Sequence, residues 1–284
     1  MKNNKTLRSC FCSLLLFLSA CNPQKTVQTD IGSGWNNNSV NTVKFRKNAL
    51  TTYNHYQFTG YYDENSNLIL AKRKVNSSDW EKVKTPYKGN TKDAHNDISI
   101  AIDGDGFLHI SWDHHDTKLR YAKGKSPMSL DLGEEQSMTG KEELKVTYPQ
   151  FYNLPNGNLL FFYRSGASGR GNMVINWYDL KSKTWSQLQQ NLVNGEEKRS
   201  AYWQSSIDQQ GVIHLSWVWR ESWDVSTNHD LCYARSKDGG ITWEKSSGEN
   251  YKLPITASTA EIAWKIPQKS SLINQTSMAT DENG

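Results

Sequence analysis

The chain has 284 residues, of which 36% are hydrophobic and 22% charged, with a formal net charge of +4, 11 Trp, 13 Tyr and four Cys. There is no lysine or arginine block and no nucleic-acid motif, so a generally basic, nucleic-acid-binding surface is excluded. The cysteines are Cys10, Cys12, Cys21 and Cys232, a pattern too sparse and too skewed to the start of the chain for a disulfide framework.

Lys2, Lys5 and Arg8 precede an apolar run from Phe11 to Leu18, which ends in Leu18-Ser19-Ala20-Cys21. A charged start, an apolar stretch too short to span a bilayer and small residues before a cleavage point predict a secretory signal over residues 1–20. Leu-Ser-Ala-Cys resembles a bacterial lipobox, which makes Cys21 the lipidated first residue of the mature chain. The expected product is an exported lipoprotein of the bacterial cell envelope, at the outer membrane or cell surface, held to the membrane only by its anchor. Losing residues 1–20 removes Lys2, Lys5 and Arg8, so the net charge falls from +4 to +1 and Cys232 is left as the sole unmodified thiol. Residues 21–34 are polar and turn-rich and read as a tether.

From residue 35 one phrase recurs: a turn, an apolar strand ending in an aromatic, a second strand and a Trp-bearing turn. It appears as YDENSNLILAKRK from Tyr62, DGDGFLHISWDHHDTKLRYAKG from Asp103, LPNGNLLFFYRSG from Leu154 and QQGVIHLSWVWRE from Gln209. The turns at 105, 156 and 210 are 51 and 54 residues apart. Several strands repeating at that period predict an all-β fold, a β-propeller of small antiparallel sheets. A β-sandwich with fortuitous spacing is the alternative. Ser236-Lys237-Asp238-Gly239-Gly240-Ile241-Thr242-Trp243 resembles the Asp-box, a fold marker whose Asp and Gly make a tight turn and whose Trp packs between strands. Residues 280–284, TDENG, repeat the turn that opens earlier blades. The expectation is therefore a propeller truncated at its C-terminus, with about five blades in residues 35–284 of a seven-bladed whole.

Candidate chemistry begins at Asp93–Tyr121, where histidines and an arginine surround an Asp-Gly turn between the strands ISIAI and LHISW. His95 and His115 lie at the outer ends of this hairpin and leave it on one side, a placement suited to acid/base chemistry or to a metal. Three further places concentrate polar groups near the start or first turn of a blade: Thr147-Tyr148-Pro149-Gln150, Phe162-Tyr163-Arg164-Ser165-Gly166 and Arg199-Ser200-Ala201-Tyr202-Trp203. Corresponding blade ends converge around the channel of a propeller, so residues distant in sequence can meet there. Tyr148 and Tyr202 could equally be packing residues. His214, His229 and Cys232 could bind a structural Zn2+, although only three of four ligands can be named; the alternative is a buried thiol beside two hydrogen-bonded histidines.

GWNNNSVN at 34–41, DAHNDISIAIDGDGFLHISWDHH at 93–115, TYPQF at 147–151, YRSGASGRGN at 163–172 and WVWRESWDVSTNHDLCYARSKDGGITW at 217–243 together resemble the BNR-repeat family that includes propeller-type ulvan lyases. The resemblance covers nearly the whole mature chain. It implies a polysaccharide lyase that cuts an acidic, rhamnose-containing polysaccharide at its uronic acid residues by β-elimination, acting as a monomer and without a catalytic cofactor. It also implies His95 and Tyr148 as the base and acid, in an order left open, and Arg164 as the clamp on the uronate carboxylate, with Asn96, His115 and Tyr202 as substrate contacts. Two other functions compete. One is a sialidase-like glycoside hydrolase, for which Arg46 in FRKN lacks the expected Phe-Arg-Ile-Pro context; the other is a non-catalytic glycan-binding propeller.

Overall fold

A computed structural model describes residues 27–43, 45–274 and 277–281, so the signal segment and Cys21 lie outside the described residues. The chain divides in sequence after Asp30 into two units, and the second, from Ile31 onward, carries all the regular structure among the described residues. No helix among the described residues is long and apolar enough to cross a membrane.

Among the described residues the strands form four successive antiparallel meanders. The first contains β1 (Leu50–Tyr53), β2 (Tyr56–Tyr62), β3 (Asn67–Lys74) and β4 (Glu81–Lys88), paired in chain order. The second pairs β5 (Ile98–Ile102), β6 (Leu108–Trp112) and β8 (Tyr121–Lys123); β7 (His115–Thr117) leaves it to pair elsewhere. The third contains β9 (Val146–Asn153), β10 (Leu159–Ala167), β11 (Arg170–Asp179) and β12 (Thr184–Gln189). The fourth contains β13 (Ser200–Ile207), β14 (Ile213–Arg220), β15 (Asn228–Ser236) and β16 (Glu261–Trp264).

In the second, third and fourth meanders burial is greatest in the first two strands and least in the last, whereas in the first meander β1 has no buried residue and β3 is the most buried. Every residue of β5 is buried, as is all of β9 except Asn153, whereas β12 and β16 contain no buried residue. Burial without alternation, polar Ser99, Thr147 and Gln150 included, reflects cover on both faces. The cover comes from neighbouring meanders, since one cluster joins the first and second through Phe58, Leu70, Ile100 and Trp112. A second joins the second and third through Ala101, Tyr121, Phe151 and Phe161, and a third joins the third and fourth through Phe162, Ile175, Trp203 and Trp217. Polar ties cross the same seams. The Phe151 N–H donates to Ser99 Oγ at 3.0 Å, and the Gly104 N–H donates to Gly157 O at 2.9 Å. A Cβ on Gly157 would lie 2.8 Å from the Gly104 Cα, so these two turns can touch only as glycines.

Two meanders carry the same hydrogen-bonded device, fully buried in the second and half-buried in the fourth. Asp103 Oδ2 lies 3.1 Å from His109 Nε2, and His109 Nδ1 lies 2.8 Å from the Tyr121 hydroxyl. In the fourth meander Asp208, His214 and Tyr233 repeat it at 3.2 and 2.8 Å. Each aspartate also accepts backbone N–H groups of the turn that follows it, so the triad ties turn, second strand and third strand together.

The Asp-box folds as its residues dictate. Asp238 accepts from the backbone of Ile241 and Thr242 and from the Ser236 and Thr242 hydroxyls, while Gly239 and Gly240 take positive φ. Trp243 is 1% exposed and donates from Nε1 to Gly240 O at 3.0 Å.

A buried carboxyl, Asp97, lies near the first seam within the field of the half-buried Arg46. The Arg46 guanidinium donates to the carbonyls of Asn41, Gly60 and Ile98. Asp97 is 2% exposed and its Oδ1 has no partner. Burial raises the Asp97 carboxyl to about 7, with the Arg46 charge opposing the rise. The folded chain thus binds this proton more tightly than the unfolded chain. The associated stability is full below the ordinary carboxylate range and is lost as pH rises through about 7, with a limiting size on the order of 4 kcal/mol.

Two outcomes are expected. Trp243→Ala should cost about 3–5 kcal/mol and Asp238→Ala about 1–3, measured by urea unfolding. Wild type should lose more stability than Asp97→Asn between pH about 5 and about 8; equal losses would show that Asp97 does not carry the dependence.

Candidate active site

Four segments bring the predicted residues to one place. The loop from Asn90 to Asn96 carries Asp93 and His95, and it is tied to the loop after β6 by the Asn90 N–H, which donates to Asp113 Oδ1 at 2.7 Å. Arg120 fixes Asp113 from the other side at 2.7 Å. Asp113 and Asp116 both take positive φ, turning the chain so that β7 leaves its own meander and pairs with β9, His115 opposite Thr147. The Asp116 N–H donates to Thr147 Oγ1 at 2.8 Å. His115 is thereby delivered to the first strand of the next meander, beside Tyr148.

Tyr148 sits on a bulge. The β9–β10 register pairs Gln150 with Phe162 and Thr147 with Arg164, so two residues of β9, Tyr148 and Pro149, stand opposite Tyr163 alone. Pro149 has no N–H for a ladder, and Tyr148 holds φ of 57°, a strained value for a bulky residue. Bulges re-aim side chains, and strain of this kind is held only where packing overdetermines it. Phe45 supplies part of that packing, its ring 5.0 Å from Tyr148 at 71° and 5.9 Å from His95 at 17°. The Phe45 carbonyl accepts from Gln150 Nε2 at 3.0 Å.

The side chains form a continuous row. His95 and His115 stack with centroids 4.1 Å apart, and the His95 ring lies 6.1 Å from Tyr148. The Arg164 guanidinium lies 5.1 Å over the Tyr148 ring and 5.7 Å over that of Tyr202. Arg164 and Arg220 both donate to the Tyr202 hydroxyl, at 3.3 and 3.1 Å, and Ser168 Oγ lies 2.8 Å from it. Arg164 fits because residue 171 is glycine: a Cβ there would lie 2.7 Å from the Arg164 Cδ. The two histidine side chains are 39% and 37% exposed, whereas Tyr148 and Arg164 are 5% and 2% exposed. One end of the row is therefore open and the other desolvated, which strengthens charge interactions at the arginine end.

The protonation landscape follows from burial. Burial raises the Tyr148 phenol, with Arg164 pulling the other way, so the hydroxyl stays protonated near neutral pH; it has no hydrogen-bond partner among the described residues. Asp93 is the reverse case. Burial would raise its carboxyl, but hydrogen bonds from the His95 N–H and from both imidazole rings hold it at about 2.

His95, His115, Tyr148, Arg164 and Tyr202 are brought together. Asn96 is not: it is 4% exposed and directed inward, its Nδ2 donating to Asn90 O at 2.9 Å, so it braces the loop instead of facing a substrate. The proposed zinc ligands do not converge either. His214 pairs across the ladder with Arg235, while His229 pairs with Trp219, five positions along β14 from His214 and so roughly 16 Å away. His214 belongs to the Asp-His-Tyr device, and His229 bridges Glu221 and Asp230 at 2.8 and 3.0 Å. Cys232 is fully buried among apolar side chains, and burial pushes its thiol up to about 12. Among the described residues the one group able to close on a metal is Asp93, His95 and His115, with donor atoms within 4.8 Å, but both Nδ1 atoms are already hydrogen-bonded to Asp93.

Asp93, Phe45 and Arg220 are the participants that motif reading misses. Asp93 opens the DAHND segment, and Pro149 inside an apolar strand is the sequence signal for the bulge.

A model of the BNR repeat-containing family matches residues 56–284. The long-isoform ulvan lyase of Glaciecola sp. (strain KUL10) is 25% identical over 190 residues, which are 49% of this chain and 19% of that protein. The short-isoform ulvan lyase of Alteromonas sp. (strain LOR) is 22% identical over 221 residues, 59% of this chain and 41% of that protein. The matched segments thus span less than half the length of each of these two relatives. Among solved structures, the polysaccharide lyase Uly1 superposes with a TM-score of 0.68 at 17% identity, covering 87% of this chain and 65% of that one. A PL25 ulvan lyase bound to -[GlcA(1-4)Rha3S]- superposes with a TM-score of 0.64 at 18% identity, covering 76% and 57%. The four meanders, their Asp-box and this match over most of the sequence have one reading: the chain belongs to the BNR repeat-containing family and has its all-β propeller fold.

Proposed function

We propose that the protein is a polysaccharide lyase that cleaves a uronic-acid-containing, ulvan-like polysaccharide by β-elimination. The observation that carries this reading is the row formed by His95, Tyr148 and Arg164, three groups from separate elements that supply the three functions an elimination requires. The proton at C5 of a uronate is poorly acidic, and its removal places negative charge on the adjoining carboxylate. Arg164, cationic and desolvated, is suited to hold that carboxylate through its two-pronged donor face and to stabilise the developing charge. His95, at the open end, takes the C5 proton on its imidazole. Tyr148, kept protonated by burial, gives its proton to the glycosidic oxygen leaving C4. The C5–H and C4–O bonds break, a C4–C5 double bond forms, and the tyrosinate and imidazolium left behind neutralise each other through solvent. His115 and Tyr202 flank the row and serve as substrate contacts; no step calls for a metal.

An open histidine end suits a polymer, which must enter from the side, and the anionic partner is matched by Arg164 and Arg220 instead of by a generally basic surface. We also propose export and lipid anchoring through Cys21, on the strength of the leader and the lipobox-like segment.

Incubated with ulvan and other uronate polymers, the mature chain should generate the ultraviolet absorbance of an unsaturated uronate. His95→Ala and Tyr148→Phe should each lower kcat by about 10²–10⁴. Arg164→Lys should lose about 10²–10³, and polymer whose carboxylates have been reduced to alcohols should resist wild type. New reducing ends without absorbance would instead identify a hydrolase, and binding without any cleavage a glycan-binding propeller. Cys21→Ser should move the protein from the membrane to the soluble fraction of cells.

A further inference from the structure

His95 and His115 share one carboxylate. Asp93 Oδ1 lies 2.6 Å from His95 Nδ1 and also accepts the His95 backbone N–H at 2.9 Å, while Oδ2 lies 2.6 Å from His115 Nδ1. The two rings stack at 4.1 Å with 25° between their planes, so with both Nδ1 atoms turned to the same carboxylate the two Nε2 atoms face away from it together. The carboxylate is itself held: the Asp93 carbonyl accepts the Asn96 N–H, Asn96 Nδ2 donates to Asn90 O, and Asn90 is tied to Asp113. Its ionised form, favoured down to about 2, can only accept hydrogen bonds.

We propose that Asp93 is the positioning residue of the site, a single carboxylate that fixes both His95 and His115 as Nδ1–H tautomers and so presents two Nε2 lone pairs to the substrate. This rests on the lyase reading above and deepens it, because it makes His95 a proton acceptor at Nε2 before substrate arrives. The ring that takes the C5 proton keeps its Nδ1–H on Asp93, and the new positive charge forms 2.6 Å from a carboxylate oxygen. Other charged and titratable groups reach the row from its far side: Arg164, Arg220 and Asp97 all act electrostatically on Tyr148. Asp93 is the one that contacts both imidazoles. Orienting a histidine tautomer through a carboxylate is worth up to about 10⁴ in the serine-protease triad, where the carboxylate serves one ring and not two.

Asp93→Asn separates orientation from mere bulk. An amide oxygen can accept only one Nδ1–H at this spacing, and the amide nitrogen must donate to the other ring, which is then driven to its Nε2–H tautomer. The expected result is two Nδ1–H histidines in wild type and one switched ring in Asp93→Asn, read by nitrogen-15 NMR with His95→Gln and His115→Gln assigning the signals. On ulvan, kcat should fall by about 10²–10⁴ with KM within a few-fold. Asp93→Glu, which restores the charge on a longer arm, should keep Nδ1–H on at least one ring and recover part of the rate. Unchanged tautomers in a folded Asp93→Asn, or a change confined to KM, would overturn the proposal. If wild type cleaves no uronate polymer the lyase reading falls, and the NMR comparison alone then upholds or overturns the role of Asp93.

Discussion

Each antiparallel meander of this chain must cover both faces of its sheet, and it can do so only with its neighbours. The three main apolar clusters all lie across seams between successive meanders, and none is confined to a single one. The first strands of the second and third meanders are covered on both sides, which is why even their polar residues Ser99, Thr147 and Gln150 are buried. Seam packing also fixes where chemistry can occur, since residues at the ends of first strands meet residues of the next meander at van der Waals distance. The Gly104–Gly157 contact shows how close that approach is.

The candidate site uses this closeness in two ways. The chain leaves the second meander after Trp112, crosses the seam as β7 and adds itself to β9, so His115 lies opposite Thr147, thirty-two residues later in sequence. One step further on, the Tyr148–Pro149 bulge spends backbone strain to aim a phenol along the row. Phe45, the histidine stack and the two arginines over Tyr202 hold that strained arrangement from three directions. Cation–π contacts among desolvated groups are worth a few kcal/mol at most, roughly the scale of the strain they offset. The result is a set of groups held in place by the chain's own packing.

Histidine does two jobs in this fold, and its surroundings separate them. His109 and His214 are locked between an aspartate below and a tyrosine hydroxyl beyond, with both ring nitrogens committed. They act as struts, and burial lowers the pKa of His109, the more buried of the two. His95 and His115 each commit one ring nitrogen to a shared aspartate and keep over a third of the side chain open. The same imidazole–carboxylate pairing thus ties strands together in one setting and leaves the second ring nitrogen of each histidine uncommitted to that carboxylate in the other.

Much of this was legible in the residues themselves. Turn spacing and the Asp-box announce a propeller because strand period and turn chemistry are local properties, set by alternation and by glycines able to take positive φ. His95 and His115 stand out at the outer ends of one hairpin, and Tyr148, Arg164 and Tyr202 near the start or first turn of a blade, and the repeat implies that corresponding blade ends converge. Local pattern could not tell that Asn96 turns inward to brace its loop, nor that His214 and Cys232 serve the sheet and core instead of a metal, since those outcomes depend on partners from other strands. Asp93 looks like an ordinary loop aspartate until His115, twenty-two residues later, is placed opposite its second oxygen. Sequence by itself determined the elements, their repeat and the chemical types available at the rim. Tertiary structure alone decided which nitrogen faces which oxygen, because hydrogen-bond partnership is settled by distances across the seams between meanders.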